Sequence, residues 1–326
     1  RAVHAGGGRA GENEDMGKIA FVFAGQGAQY TGMGRELYES SPDARRVYDL
    51  CDAVRPGTSA LCFTGDKAAL AVTENTQPAM FATDLACAET LRGRGVVPAM
   101  AAGFSLGEVA AAAFTGMLDM ESAFRLVVRR GQLMQACAEA HSGSMAAVLR
   151  LPNETVEALC ASFSHVYPVN YNCAGQLTVA GDSAEMPAFI KAVTESGGRA
   201  VPLAVSGAFH SPFMTEASLS LNGRNLFVDE HGKVCRIESA LRADEDDLRA
   251  TLAAQVKSPV RWEETVRHMA DAGADFFCEV GPGKVLSGLI RRILPEAQVF
   301  NVENAETLAL CVQAAQAHDE KERKGQ

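Results

Sequence analysis

Ser105 stands in Gly103-Phe104-Ser105-Leu106-Gly107, a Gly-x-Ser-x-Gly pattern that suits a nucleophile held on a sharp turn. Val96, Val97, Ala99 and Met100 before it predict a short buried strand, and Glu108 to Met117, with four consecutive alanines, predict a helix. A serine at a strand-to-helix turn has its hydroxyl lifted clear of the backbone. The Leu106 N–H and the positive end of the helix then face whatever the serine attacks, which suits a developing oxyanion. A glycine-rich turn with an idle serine fits the five residues equally well, so the surroundings must decide.

Three other places carry side chains or amides of the right kinds. Lys18 to Ala24 reads as a buried strand running into Gly25-Gln26-Gly27-Ala28-Gln29. That loop fails as a dinucleotide fingerprint, because Tyr30 stands where a glycine is needed, and no Gly-Lys-Ser/Thr follows. It offers instead unobstructed backbone amides, with Gln26 as the second half of an oxyanion hole if the fold brings it near Ser105. Arg130 falls in the middle of the apolar stripe Ala123, Leu126, Val127, Met134 and Cys137 of a helix predicted over about 119–138. A buried guanidinium needs an anion or several acceptors. It either pairs with a core carboxylate or grips a carboxylate on a substrate. Among seven histidines, His210 alone lies in a tight loop of small residues, Ser206-Gly207-Ala208-Phe209-His210-Ser211, at a join between two predicted domains.

The elements that must position these groups follow from pattern. Asn75-Thr76-Gln77-Pro78 predicts a helix start with Thr76 as cap and Pro78 in the first turn. From Gly143 to Val205 the order is strand, helix, two strands, helix, strand, the split ferredoxin-like order of a small inserted subdomain. The division expected is a flexible tail over 1–17, a discontinuous large α/β domain over 18–142 and 206–305, the small subdomain over 143–205, and a C-terminal helix or tail over 306–326. The charge run Asp319 to Lys324 reads as disordered, and 221–237 as poorly defined.

The 326 residues are 47% hydrophobic and 21% charged, with a formal net charge of -10 that argues against a nucleic-acid surface. Nine cysteines without a Cys-x-x-Cys spacing suggest neither a zinc site nor a disulfide framework, and point to a reducing, cytoplasmic setting. No apolar run reaches membrane-spanning length.

Taken in order, these pieces resemble the malonyl-CoA:acyl-carrier-protein transacylases and the related acyltransferase domains of polyketide synthases, from about Lys18 to Asn304. The resemblance is carried by Phe23-Ala24-Gly25-Gln26-Gly27-Ala28-Gln29, Gly103-Phe104-Ser105-Leu106-Gly107-Glu108, Arg130-Gly131-Gln132-Leu133-Met134, Asn170-Tyr171-Asn172 with Gln176, Ala208-Phe209-His210-Ser211, Ser258-Pro259-Val260-Arg261-Trp262 and Glu279-Val280-Gly281-Pro282-Gly283. It implies an α/β-hydrolase-like large domain with a ferredoxin-like subdomain. It makes Ser105 the nucleophile, His210 the general base, and the backbone amides of Gln26 and Leu106 the oxyanion hole. Arg130 would hold the malonyl carboxylate, a main-chain carbonyl at the position of Gln255 would orient His210, and Phe209 would match the malonyl-type signature. The substrates implied are malonyl-CoA and a phosphopantetheinylated acyl carrier protein of fatty-acid or polyketide synthesis, handled by a monomer with no bound cofactor or metal, no nucleic acid and no membrane.

Three departures from that resemblance stand out. Phe104 occupies the place usually held by histidine, Ala24 and Ala174 replace common prolines, and the stretch 221–237 lacks the expected Pro-Val-x-Ser-Asn-like strand. Two rival readings accompany the transferase. One is a thioester hydrolase or esterase, which needs an acidic third member that the sequence does not place. The other is a degenerate acyltransferase serving as a docking module.

Overall fold

The computed structural model describes residues 17–205, 207–222 and 245–325. The expected tail before Gly17, and the stretch 221–237 beyond Asn222, lie outside the described residues. Ile19-Ala20-Phe21-Val22-Phe23 is a continuous apolar run, as a strand covered on both faces requires. β1 (Lys18–Phe23) is that strand, buried at every residue after Lys18. It lies between β2 (Met100–Gly103) and β7 (Ala274–Val280), and β8 (Gln298–Val302) completes an all-parallel sheet of order β2-β1-β7-β8. Phe21 and Phe23 face the nearly all-buried helix Thr73–Gly93, whereas Ala20 and Val22 face Trp262, Leu286 and Ile290 on the other side.

Because the strands are parallel, the loops after β1, β2 and β7 leave from the same end of the sheet. The chain continues from β1 to β2 on one side, while β7 and β8 add on the other. Such a switch in direction opens a crevice outside the carboxyl ends of the strands.

The second sheet contains β3 (Gly143–Leu149), β4 (Val166–Cys173), β5 (Gln176–Asp182) and β6 (Arg199–Pro202) in the antiparallel order β4-β5-β3-β6. Helices Asn153–Cys160 and Met186–Glu195 complete the ferredoxin-like arrangement, with a separate core of Val148, Val156, Leu177, Val179, Phe189 and Val193. A hydrogen-bonded bridge ties it to the large part: the Tyr171 N–H donates to the Val260 carbonyl and the Val260 N–H to the Val169 carbonyl, each at 2.8 Å. The whole is an α/β-hydrolase-like part carrying a ferredoxin-like one.

Some expected elements shift. The strand before Ser105 starts at Met100, and Val97 is 64% exposed. Helix Thr73–Gly93 begins three residues before Thr76 and takes Pro78 into its interior. Thr76 does not cap it; its hydroxyl donates to the Leu70 and Val72 carbonyls. Helix Glu245–Gln255 lies within the described residues and ends at the residue whose carbonyl meets His210. The charge run Asp319–Lys324 is the last turn and a half of helix Ala305–Gly325. Leu308, Cys311, Ala315 and His318 form a buried stripe at helical spacing on that helix, with His318 Nε2 2.9 Å from Asp275 Oδ1. That anchoring carries the charged end along as helix, where the charge run alone reads as disordered. No helix among the described residues is long and apolar enough to cross a membrane.

Candidate active site

Ser105 has φ 54° and ψ -107°, a left-handed conformation that non-glycine residues avoid and that tends to be stored at functional sites. What forces it is the closeness of the elements on either side. A Cβ on Gly103 would strike the backbone of Gly107 and Glu108, and one on Gly107 would strike the carbonyls of Phe23 and Ala24. The turn therefore packs directly against the end of β1. Helix Leu106–Phe114 follows at once, its first bonds running from the Gly107 N–H to the Phe104 carbonyl and from the Glu108 N–H to the Ser105 carbonyl. Leu106 is left with a leading amide, one of the unsatisfied donors that every helix start presents.

The Gly25–Gly27 loop lies across the same turn: a Cβ on Gly25 would stand 2.7 Å from the Phe104 carbonyl oxygen. Gln26 is fixed by its side chain, whose Nε2 donates to Thr73 Oγ1 at 3.2 Å. Among the described residues, the amides of Gln26 and Leu106 donate to no backbone carbonyl. A cavity of about 700 Å³ starts at this loop and at Phe104 and runs between the two sheets past Asn172, Gln176 and Leu203.

Ser105 Oγ lies 2.7 Å from His210 Nε2. His210 is also left-handed, at φ 61°, and its N–H donates to the Val256 carbonyl. The ring's Nδ1 lies 3.0 Å from the Gln255 carbonyl oxygen and 3.1 Å from that of Ser258. Both of those groups only accept, so the proton sits on Nδ1 and Nε2 presents its lone pair to the serine hydroxyl. Burial, and after it the neighbouring Arg130 cation, push His210 down to about 4, and the two carbonyls oppose the shift. The imidazole is therefore neutral, and able to take a proton, across the neutral range.

Arg130 is 2% exposed on helix Met120–Ala140. Its Nη1 donates to Gln77 Oε1 at 2.7 Å, and its Nη2 donates to Gln255 Oε1 at 2.9 Å and to Ser105 Oγ at 3.1 Å. Its Nε–H has no partner among the described residues. Burial lowers Arg130 to about 10, which leaves it charged at neutral pH, and Glu108 nearby opposes the shift. Of the two partners its sequence position allowed, a core carboxylate is not in contact among the described residues: every group there that holds the guanidinium is a neutral oxygen.

Ser105, His210, Arg130, Gln255 and the Gln26 and Leu106 loops thus converge, and Phe209 precedes His210 in the chain. Phe209 is buried in the large core, against Gly207. Phe104 lines the cavity and meets Trp262 edge-on at 5.5 Å between centroids. Sequence reasoning passed over Gln77 and Ser258. Gln77 had one signal, a buried amide in a helix apolar on most sides; the Ser258 carbonyl had none, since a main-chain group carries no residue identity.

The arrangement is a hydroxyl with a neutral base on one side, a guanidinium on the other, and two amide-bearing turns beside it. It can attack a carbonyl carbon, stabilise the oxyanion and hold an anionic tail of the acyl group. Residues 20–321 match the acyl transferase domain family. The chain is 35% identical to the malonyl CoA-acyl carrier protein transacylase of Bacillus subtilis (strain 168), over 91% of this chain and 97% of that protein. It superposes on the malonyl CoA-acyl carrier protein transacylase of Clostridium perfringens with a TM-score of 0.84 at 31% identity, covering 93% and 98% of the two chains. A malonyl-transacylase solved in complex with a type II PKS acyl-carrier protein superposes with a TM-score of 0.81 at 32% identity, over 91% and 99%.

Proposed function

The chain belongs to the acyl transferase family, and we propose that it moves a malonyl group from malonyl-CoA to the phosphopantetheine thiol of an acyl carrier protein through an O-malonyl ester on Ser105. One observation carries the acyl choice: the charged Arg130 is buried beside Ser105 Oγ and, among the described residues, held by neutral oxygens alone. A malonyl ester on Ser105 would bring its carboxylate to that guanidinium, whereas an acetyl ester would leave the cation without an anion.

In this reading Ser105 Oγ attacks the thioester carbon as His210 Nε2 takes its proton. The oxyanion forms against the Gln26 and Leu106 amides. The intermediate collapses, the C–S bond breaks, and His210 returns the proton to the departing CoA sulfur. The carrier thiol then gives its proton to His210, attacks the ester and leaves with the malonyl group, which restores the serine hydroxyl. The Gln255 and Ser258 carbonyls keep the imidazole in the tautomer this requires. Phe209, next to His210 in the chain, would limit room beside the malonyl methylene.

The cavity leading away from Phe104 suits a long, thin thioester arm. The chemistry uses no cofactor. The reading extends to a cytoplasmic monomer, divided at 143–205 into a discontinuous large domain and a small one; eight described cysteines, all free thiols, suit a reducing compartment.

Intact-protein mass spectrometry after brief exposure to malonyl-CoA or acetyl-CoA tests it. A malonyl adduct on the wild type, absent from Ser105→Ala and discharged by phosphopantetheinylated carrier protein, is the expected result. Decay of the adduct to malonate regardless of carrier would replace the transferase by a hydrolase. No adduct at all would overturn the enzyme reading.

A further inference from the structure

Glu108 is three residues beyond Ser105, in the first turn of the helix that follows it, and the transfer chemistry above gives it no part. It does not touch Arg130. Between them stands the Gln255 side chain, whose Nε2 donates to Glu108 Oε2 and to the Ser105 carbonyl, each at 2.6 Å, while its Oε1 accepts from Arg130 Nη2 at 2.9 Å. An amide has donors at one end and an acceptor at the other. Turned over, it would set its oxygen against a carboxylate and a carbonyl, and its NH₂ against a guanidinium. Glu108 thus fixes which end of Gln255 the arginine meets.

Resting on the malonyl reading above, we infer that Glu108, acting through the Gln255 amide, is a positioning residue for acyl selectivity: it aims and balances Arg130 without occupying it. A carboxylate in direct contact would take the guanidinium face permanently, since a charge-assisted fork is the strongest partner available to it. Through one intervening amide, the negative charge still acts on the cation, yet the group in contact with Nη2 is a neutral oxygen. A substrate carboxylate outcompetes that oxygen.

The electrostatics of the pocket agree with this linkage. Burial is the main influence on Glu108 and raises it, with the Gln255 amide and Arg130 holding it down in that order. Glu108 in turn holds Arg130 up. The coupling spans a gap that no direct ion pair fills.

The test compares kcat/KM for Ser105 loading from malonyl-CoA and from acetyl-CoA, in the full chain, for wild type, Glu108→Ala, Glu108→Gln and Gln255→Glu. Glu108→Ala removes the charged one of the two acceptors that hold the amide, and the malonyl-to-acetyl ratio is expected to fall about 10–100-fold, mainly through the malonyl KM. Glu108→Gln keeps an acceptor oxygen of the same reach and should hold the ratio within about threefold of wild type. Gln255→Glu retains the carbonyl that orients His210 but sets a permanent carboxylate on Arg130, and should lower the ratio at least as far as Glu108→Ala. Parallel loss of malonyl and acetyl loading, with the ratio unmoved, would reduce Glu108 to a structural part and overturn the inference. So would a Gln255→Glu enzyme that keeps its malonyl preference. A wild type that loads no malonyl would instead fail at the transferase reading itself, and this inference would go with it.

Discussion

The His210 environment predicts an unusually low acid limb for acyl loading. An unperturbed histidine titrates near 6.5, so a general base of that kind would be only about 10% neutral at pH 5.5. Burial and the Arg130 cation bring His210 to about 4, at which value roughly 97% of it is neutral at pH 5.5. The sign follows from the proton's place: loading needs the Nε2 lone pair, the lone pair is lost on protonation, and a lowered affinity moves that loss to lower pH. The kcat/KM for malonyl loading at pH 5.5 should therefore be close to its value at pH 7.5, where an ordinary histidine would cost about tenfold. The same profile is to be read with a sulfonyl fluoride, which reports Ser105 reactivity without using Arg130 as a binding group, and with circular dichroism to confirm that the fold survives. Replacing Arg130 by Met removes the second cause and leaves burial, so the limb seen with the sulfonyl fluoride should move up yet stay below 6.5. A wild-type limb at 6.5, or one that Arg130→Met leaves in place, would refute the reasoning.

Three further outcomes concern the frame around the site. Asp84 is wholly buried, neither of its carboxyl oxygens has a partner among the described residues, and burial followed by Glu279 raises it well above the carboxylate range. Folded Asp84 keeps its proton while the unfolded chain releases it above about pH 4, so stability falls as pH rises by up to about 1.4 kcal/mol per unit; Asp84→Asn should flatten that slope in urea titrations at pH 5 to 8, and equal slopes would contradict it. Gly107→Ala drives a methyl into the Phe23 and Ala24 carbonyls and should cost about 1–3 kcal/mol or more; a melting temperature within about 1 °C of wild type would show that the elbow has slack. Among the described residues the buried Trp262 indole N–H has no acceptor, and its ring meets that of Phe104, so Phe104→His is expected to add about 1 kcal/mol of stability by supplying a ring nitrogen. A lower denaturation midpoint for that variant would count against it.

What was readable in the sequence, and what was not, divides by the range of the forces involved. The elbow was legible because its glycines answer local crowding between β1, β2 and the next helix, and that crowding must appear as missing side chains at 103 and 107. Arg130 was legible as a charge on an apolar stripe, since helical period alone brings it inside. The second sheet was legible because its core positions alternate within short strands separated by turns. Helix ends were less so: Thr76 has the right chemistry for a cap, but packing of the Thr73–Gly93 helix extends it past that point. The partners of Arg130 were illegible in principle. Gln77 lies 53 residues away from it and Gln255 lies 125, and only the closed fold brings their amides to one guanidinium.

The position of Gln255 shows why the base is oriented by carbonyls and not by an acid. This one residue reaches His210 Nδ1 with its main-chain oxygen and Arg130 Nη2 with its side-chain oxygen, so the group that fixes the imidazole and the neighbour of the buried cation occupy the same few ångströms. A carboxylate placed there to hold His210, as in a serine triad with an acidic third member, would stand within reach of Arg130. In a pocket this buried the pair would form, and the cation would no longer be available to a substrate carboxylate. Such an acid would also raise His210, against the lowering that Arg130 now imposes. Two neutral carbonyls, from Gln255 and Ser258, fix the tautomer without contributing a charge. If the pocket binds a malonyl carboxylate as proposed, it can tolerate a second carboxylate only at a distance, and Glu108 stands one amide removed from the guanidinium.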